Sequence, residues 1–426
     1  MTSSLTRSPV LVRCNTDDIS CRGRDSIALP WESSREARIG WANDFPEDFE
    51  ILSKVGEGTF STVWAAKAKT ARQNCGDGGL ERLVALKRIN PTCSPTRILN
   101  EFEQMRKLGG RCNVVQATGV LRTPSGVFVL AMPFFEHDEF RHYMKSLTLA
   151  GVGGYMRSLL TALAHVHAAG VIHRDIKPRN FMYNSKSGKG MLIDFGLAEP
   201  AEKWKDRSEA LAKHRDRRAL RRQNQAGGVE CLGGDYRTGP VGAGDGCKMK
   251  ACDDAGAAER SREDRAGKDA VASDRLKLLK KAERGGTTGF RAPEVLWHSR
   301  DQGPPVDVWS AGVILLSLLS RRYPVFPSAD NDEMALVQVA AVVGSDEVVR
   351  AARTSGRCQV SELPSLHRRG ALESLCAPLL GGPVCDDHDS KSRVDALNLL
   401  RGMLKVDPAE RLSARDALVH PFVAEA

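Results

Sequence analysis

Between Phe49 and Met132 the apolar residues fall in short runs bounded by glycine and polar residues, whereas beyond Met132 they recur every three or four positions. The first pattern belongs to strands and the second to helices. Strands are predicted over residues 49–55, 62–68, 83–89 and 127–132, and their brevity points to a small antiparallel sheet. One helix interrupts them. It opens at Ser94 and Pro95, because a serine hydroxyl accepts from free N–H groups and proline suits a first turn, and it closes at Gly109-Gly110. Further on, Met156, Leu159, Leu160, Leu163 and Val166 share one helix face, with Gly170 as the stop. The apolar run at 308–320 is shorter than the roughly 20 residues a membrane span needs and reads as a buried core helix. The expected architecture is α+β and bilobal: a strand-rich lobe over about 46–132 with one helix, then a larger, mainly helical lobe over about 136–423.

Three stretches break this pattern. Residues 1–45 mix Ser, Arg, Asp and Pro without a period and are expected to form a disordered tail. Residues 199–284 are rich in charge and glycine, and helical periodicity resumes at Val306, so they are expected to be an insertion within one domain of residues 46–423. A shorter insertion is expected over 354–393, marked by Gly381-Gly382-Pro383 and then Asp386, Asp387 and Asp389.

Composition narrows the function classes. A chain of 426 residues with 41% hydrophobic content can bury a sizeable core. The net charge is +9, and residues 201–286 carry 21 Lys and Arg against 15 Asp and Glu, so most of the excess sits in the first insertion. Trp204 and Tyr236 are too sparse to make a base-stacking platform of it, and direct sequence-specific nucleic-acid binding is not expected. Eleven cysteines form no CxxC pair, and their odd number fits no closed disulfide framework; reduced thiols inside the cell are expected. Residues 1–20 show no secretory or transit pattern, and no membrane association is expected. In the first insertion, the basic run at 215–222 fits a nuclear import signal or a solvated loop, and Cys231, Cys247 and Cys252 match no strong zinc spacing.

The chemistry is written in short motifs. Gly56-Glu57-Gly58-Thr59-Phe60-Ser61, followed by Val63, lies between two predicted strands, where glycines let backbone N–H groups approach phosphate oxygens and Val63 can cover a flat base. Alone it fits a plain hairpin turn equally well. Lys87 ends the apolar strand Val84-Ala85-Leu86. In the helix that follows, Glu101 shares a face with Ile98 and Met105, and a carboxylate on a packing face wants a cation; Lys87 is the candidate. Glu103 faces away, four residues before Lys107.

The decisive text is His173-Arg174-Asp175-Ile176-Lys177-Pro178-Arg179-Asn180, then Ile193-Asp194-Phe195-Gly196. Phosphoryl transfer needs a carboxylate to accept a hydroxyl proton, metal ligands, and positive charge near the transferring group. Asp175 supplies the first, Asn180 and Asp194 the oxygens for Mg²⁺, and Lys177 the charge that reaches the γ-phosphate of ATP. Thr287 is expected to brace Asp175 and Lys177. Arg174 invites a negative charge whose source the sequence does not locate. Gly289-Phe290-Arg291-Ala292-Pro293-Glu294, Asp307-Val308-Trp309 and Asp407-Pro408 with Arg411 follow in order, and Glu294 and Arg411 are expected to form a buried ion pair.

Order and spacing resemble the eukaryotic protein kinases over about 49–422, with Lys177 typical of those acting on serine or threonine. Within them, the Gly56–Ser61 motif, Ala131-Met132-Pro133-Phe134 with Glu136-His137, the 289–296 stretch and the 309–320 stretch resemble the cell division cycle seven kinases, which license replication origins. The resemblance implies a long charged insertion after Asp194-Phe195-Gly196, a Dbf-type regulatory subunit that holds the Glu101 helix, and acidic sites of replicative helicase subunits as substrates. It implies a nuclear enzyme. It also implies that Met132 guards the back of the adenine pocket, Phe135 presents hinge backbone and Met182 floors it, with Val55 and Ala85 among the nucleotide contacts. A pseudokinase scaffold is disfavoured, since Lys87, Asp175, Asn180 and Asp194 are all present; another serine/threonine kinase, of casein-kinase type, is the nearer alternative.

Overall fold

The computed structural model describes residues 49–425, apart from 59–60, 70–81, 91–94, 124–125, 205–284, 300–301, 328–330, 356–370 and 382–386. The expected tail, the Ser94 cap, the Thr59-Phe60 tip, the 215–222 run and the three insertion cysteines lie outside the described residues.

Five antiparallel strands form the first lobe: β1 (Phe49–Glu57), β2 (Ser61–Ala68), β3 (Arg82–Ile89), β4 (Gly119–Arg122) and β5 (Phe128–Pro133), in the order β1-β2-β3-β5-β4. Trp64, Ala66, Val84, Leu86, Leu121, Val129 and Ala131 fill one face as a single apolar cluster. The register matters for the site, because it sets Gly56 opposite Val63, Val63 opposite Lys87, and Ala85 opposite Met132. Helix α1 (Pro95–Leu108) buries Ile98, Phe102, Met105 and Leu108, together with Glu101. Strand β4, Gly-Val-Leu-Arg, has only four residues, too few for a period to show in the sequence, which is why no strand is predicted there.

The second lobe is helical. After α2 (Phe140–Tyr143), helix α3 (Leu149–Ala168) starts where the Thr148 hydroxyl accepts from the Gly151 N–H at 3.1 Å, and it buries Met156, Leu159, Leu160, Leu163 and Val166 as its period requires. Gly170 follows at φ +72°. Short strands β6 (Val171–Ile172), β7 (Phe181–Asn184), β8 (Lys189–Leu192) and β9 (Glu199–Pro200) frame the loops of interest, β6 pairing with β9 and β7 with β8. Helix α4 (Pro293–Leu296) precedes α5 (Pro305–Ser320), in which every residue from Val306 to Ser320 is buried. A helix apolar all round must lie in a core. The lobe continues with α6 (Asp332–Val343), α7 (Ser345–Thr354), α8 (Ala371–Leu380), α9 (Asp387–Met403), α10 (Ala414–Leu418) and α11 (Pro421–Ala424); α3, α8 and α9 pack directly on α5, and α10 and α11 on α3.

Helix α8 falls within the stretch read as a second insertion. It packs on α5 and α6 and buries Cys376 completely, so these residues are part of the lobe's helical packing. Its ten residues are flanked by glycine and proline on the C-terminal side, and that composition hides the helix from a reading by pattern.

Candidate active site

Two groups of side chains face each other where the lobes meet. On the first-lobe side, Lys87 Nζ donates to Glu101 Oε1 at 2.6 Å and to Asp194 Oδ1 at 2.8 Å. Glu101 on α1 is the partner, as its place on the packing face requires, while Glu103 is exposed. Burial alone would lower the Lys87 ammonium, yet the Glu101 and Asp194 carboxylates together raise it above its ordinary value. For Asp194, burial alone would raise the carboxyl, but the adjacent Lys87 charge brings it down to about 2. Glu101 is pushed up by burial against the pull of Lys87.

On the second-lobe side, hydrogen bonds converge on Asp175. Lys177 Nζ donates to Asp175 Oδ2 at 2.7 Å and to Thr287 Oγ1 at 2.8 Å, and the Thr287 hydroxyl donates to Asp175 Oδ1 at 2.7 Å. Asn180 Nδ2 donates to the Asp175 carbonyl at 2.8 Å and to Oδ2 at 2.9 Å. The carboxylate is therefore held in one orientation by three side chains, one of them 112 residues away in the chain.

The loop carrying Asp175 is fixed from below by Asp307, in the first turn of α5. Its carboxylate accepts from the backbone N–H groups of His173 (2.8 Å) and Arg174 (2.7 Å) and pairs with His167 Nε2 at 2.8 Å. Complete burial would raise the Asp307 carboxyl, but these donors keep it below its usual value. Arg174 and Asp194 both have left-handed backbones, φ +67° and +65°, a strained geometry for residues with a Cβ that persists where the surroundings over-determine it. Next to Asp194, Phe195 is fully buried with its ring 4.9 Å from that of His173.

The remaining predicted positions lie on β1, β2, β3, β5 and β7 and just after β5. Val55 is 40% exposed at the end of β1, and Val63 is half-buried on β2. Ala85 and Met132 are buried neighbours on β3 and β5; Met182 lies on β7; Phe135 follows β5, its carbonyl 3.0 Å from His137 Nδ1. A Cβ at Gly56 would meet only Val63 at 3.7 Å among the described residues, and one at Gly58 only the Ser61 carbonyl at 3.8 Å. Neither has a left-handed backbone, so the fold itself would accept a side chain at both. The space those absent side chains leave suits the close approach of phosphate. Three contacts were not foreseen: Arg97 Nε donates to the Gly196 carbonyl at 2.7 Å, Asn100 Nδ2 to the Ala198 carbonyl at 3.3 Å, and Arg179 Nη2 to the Glu57 carbonyl at 3.3 Å. All three join residues distant in the chain, and no local pattern announces them. The Glu294–Arg411 pair does form, at 2.7 and 3.0 Å, with both side chains buried and Arg411 also donating to the carbonyls of Pro305, Lys405 and Val406.

Residues present fit a divalent cation and a triphosphate. Asn180 spends its amide donors on Asp175, which leaves its carbonyl oxygen as a ligand, and Asp194 keeps a carboxylate 40% exposed; both are the oxygen donors that hard cations prefer. A five-stranded sheet with its Lys–Glu pair, closed against a helical lobe that presents an aspartate, an asparagine and a second aspartate, defines a protein kinase.

The comparisons agree. The protein kinase domain model matches residues 49–215 and 265–423. A cell division control protein 7 homolog of Encephalitozoon cuniculi is 35% identical over 372 residues, covering 87% of this chain and 90% of that protein. A cell cycle serine/threonine-protein kinase of Schizosaccharomyces pombe is 30% identical over 415 residues (89% and 73%), and a cell division cycle 7-related protein kinase of Mus musculus 30% identical over 413 (77% and 72%). The chain belongs to the cell division cycle 7 family of serine/threonine protein kinases. Enzymes of this class use ATP with a divalent metal ion, phosphorylate proteins, and in this family act in the cell cycle.

Proposed function

We propose that Asp175 accepts the proton of a substrate serine or threonine hydroxyl as that oxygen attacks the γ-phosphate of ATP. The convergence of Lys177, Thr287 and Asn180 on one carboxylate carries this reading, since it aims an acceptor with no freedom to turn away. Lys177 offsets charge on the transferring group, and Lys87, held by Glu101, positions the α- and β-phosphates. Asn180 and Asp194 would hold Mg²⁺, which neutralises phosphate charge when bound. The glycines at 56 and 58 admit the phosphates, Val55, Val63, Ala85, Met132 and Met182 enclose the base, and Phe135 offers it backbone.

The family further supports a catalytic subunit that depends on a Dbf-type regulatory subunit and phosphorylates acidic sites on replicative helicase subunits in the nucleus, initiating DNA replication. Helix α1 suits such dependence, because Leu99 is 47% exposed on it while Glu101 two residues on completes the ion pair. Transfer of labelled phosphate from ATP to an acidic serine peptide tests both levels. Asp175→Asn is expected to lower kcat about 10²–10⁴-fold, and adding the regulatory subunit to raise wild-type turnover. Equal incorporation by wild type and Asp175→Asn would sink the assignment of the base; undiminished turnover without any subunit would sink the dependence.

A further inference from the structure

Arg174 stands immediately before Asp175, and its charge must be balanced, because its side chain is only 6% exposed. In many regulated loops a phosphate added to the chain supplies that balance by pairing with an arginine. Here the partner is a residue of the chain itself. Glu199 Oε2 lies 2.8 Å from Arg174 Nη1, with the glutamate side chain 17% exposed.

Glu199 is placed there by backbone, not by chance rotamer. It pairs with Ile172 in the β6–β9 ladder, two residues from Arg174. Its carboxylate is further held by Trp204, whose Nε1 donates to Oε2 at 3.0 Å, and by Lys203, whose Nζ donates to Oε1 at 2.6 Å. Trp204 also sets its ring face 4.9 Å from the guanidinium carbon of Arg174, a cation–π contact. Gln302 accepts from Arg174 Nη2 at 3.3 Å. Gly285 lies against the guanidinium as well, for a Cβ there would come within 2.6 Å of Nη2. Arginine, glutamate, tryptophan, glutamine and glycine thus form one packed enclosure behind Asp175.

The same segment is tied to α1. Arg97 and Asn100 hold the carbonyls of Gly196 and Ala198, so a continuous run of contacts leads from the helix bearing Glu101, through residues 196–199, to Arg174 and the loop of Asp175.

We infer that Glu199 is a positioning residue: it acts as the built-in counter-anion of Arg174, setting the Asp175 loop for turnover without a phosphate on the 285–290 loop and coupling that loop to the placement of α1. The inference rests on the reading of Asp175 as the base, and its tests separate the two. Glu199→Gln keeps the bulk and removes the charge; it is expected to lower kcat on the order of tenfold or more, as a small misplacement of the base would, while leaving the KM for ATP unchanged. Glu199→Asp, which keeps the charge, is expected to recover most of the lost rate. Arg174→Met and the Glu199→Gln/Arg174→Met double variant should be equally slow, since each breaks the same pair. Thr288 is the other threonine of the 285–290 loop, and Thr288→Ala is expected to turn over as wild type does. Amide hydrogen exchange of the full chain gives a readout independent of turnover: Glu199→Gln should speed exchange across residues 171–175 and 199–204 and leave α5 protected. Loss of all transfer in wild type itself would count against the kinase assignment of the site. With wild type active, an unchanged kcat and unchanged exchange in Glu199→Gln, multiplicative losses in the double variant, or a Thr288→Ala enzyme as slow as Asp175→Asn would each overturn the inference.

Discussion

The two halves of the site are held in different ways. The loop of Asp175 is anchored by the buried Asp307, 1% exposed, under its backbone, and by buried Asn180 and half-buried Thr287 around its carboxylate. The side formed by β1 and α1 is joined to the second lobe by polar contacts, Lys87 with Glu101 and Asp194 and the hold of Arg97 and Asn100 on the Gly196 and Ala198 carbonyls, while Val55 and Leu99 are exposed. A joint made of a few polar contacts opens at lower free-energy cost than a packed anchor. The difference places chemistry on the rigid side and control on the adjustable one.

The largest effect is expected from removing the rigid anchor. Asp307→Ala leaves the His173 and Arg174 amides and the His167 ring without their buried acceptor, and is expected to cost about 3–5 kcal/mol in denaturant unfolding together with most of the activity. A loss under 1 kcal/mol would show that the loop is held some other way. On the adjustable side, Lys87→Met should lower kcat about 10²–10³-fold with far less loss of stability.

That variant also carries a pH test. Asp194 is depressed from an ordinary 3.8 to about 2, so the stability it contributes is fully present above the unfolded value and is lost as pH falls from 3.8 towards 2. Lys87→Met removes the cause of the depression. The wild-type advantage over the variant should therefore shrink across that window, and carboxylate titration by NMR should show Asp194 shifted upward in the variant. The smallest effect is expected at the exposed edge: Leu99→Ser should change stability by no more than about 0.5 kcal/mol yet weaken activation by the regulatory subunit. Full activation of Leu99→Ser would move the proposed docking away from that part of α1.

Much of this was legible residue by residue. The period of the apolar positions announced the sheet, α1, α3 and the core helix α5, because burial of one face leaves its repeat in the chain. The spacing of Asp175, Lys177, Asn180 and Asp194 named the chemistry, since those groups sit on short loops whose geometry is local. The Glu294–Arg411 pair was also visible, from two charged residues set in otherwise apolar or motif-bearing text. Strand β4 and helix α8 were not, one too short and the other masked by glycine, proline and acidic neighbours.

What the tertiary structure alone decided are the contacts that close across long stretches of chain. The sequence marked Arg174 as a cation in want of a charge but could not say that Glu199 meets it, because that depends on β9 returning to pair with β6. Likewise the hold of Arg97 and Asn100 on residues 196–198 joins segments about a hundred positions apart. Local chemistry is encoded in local order, whereas the pairing of distant charges is set by the packing that brings them together.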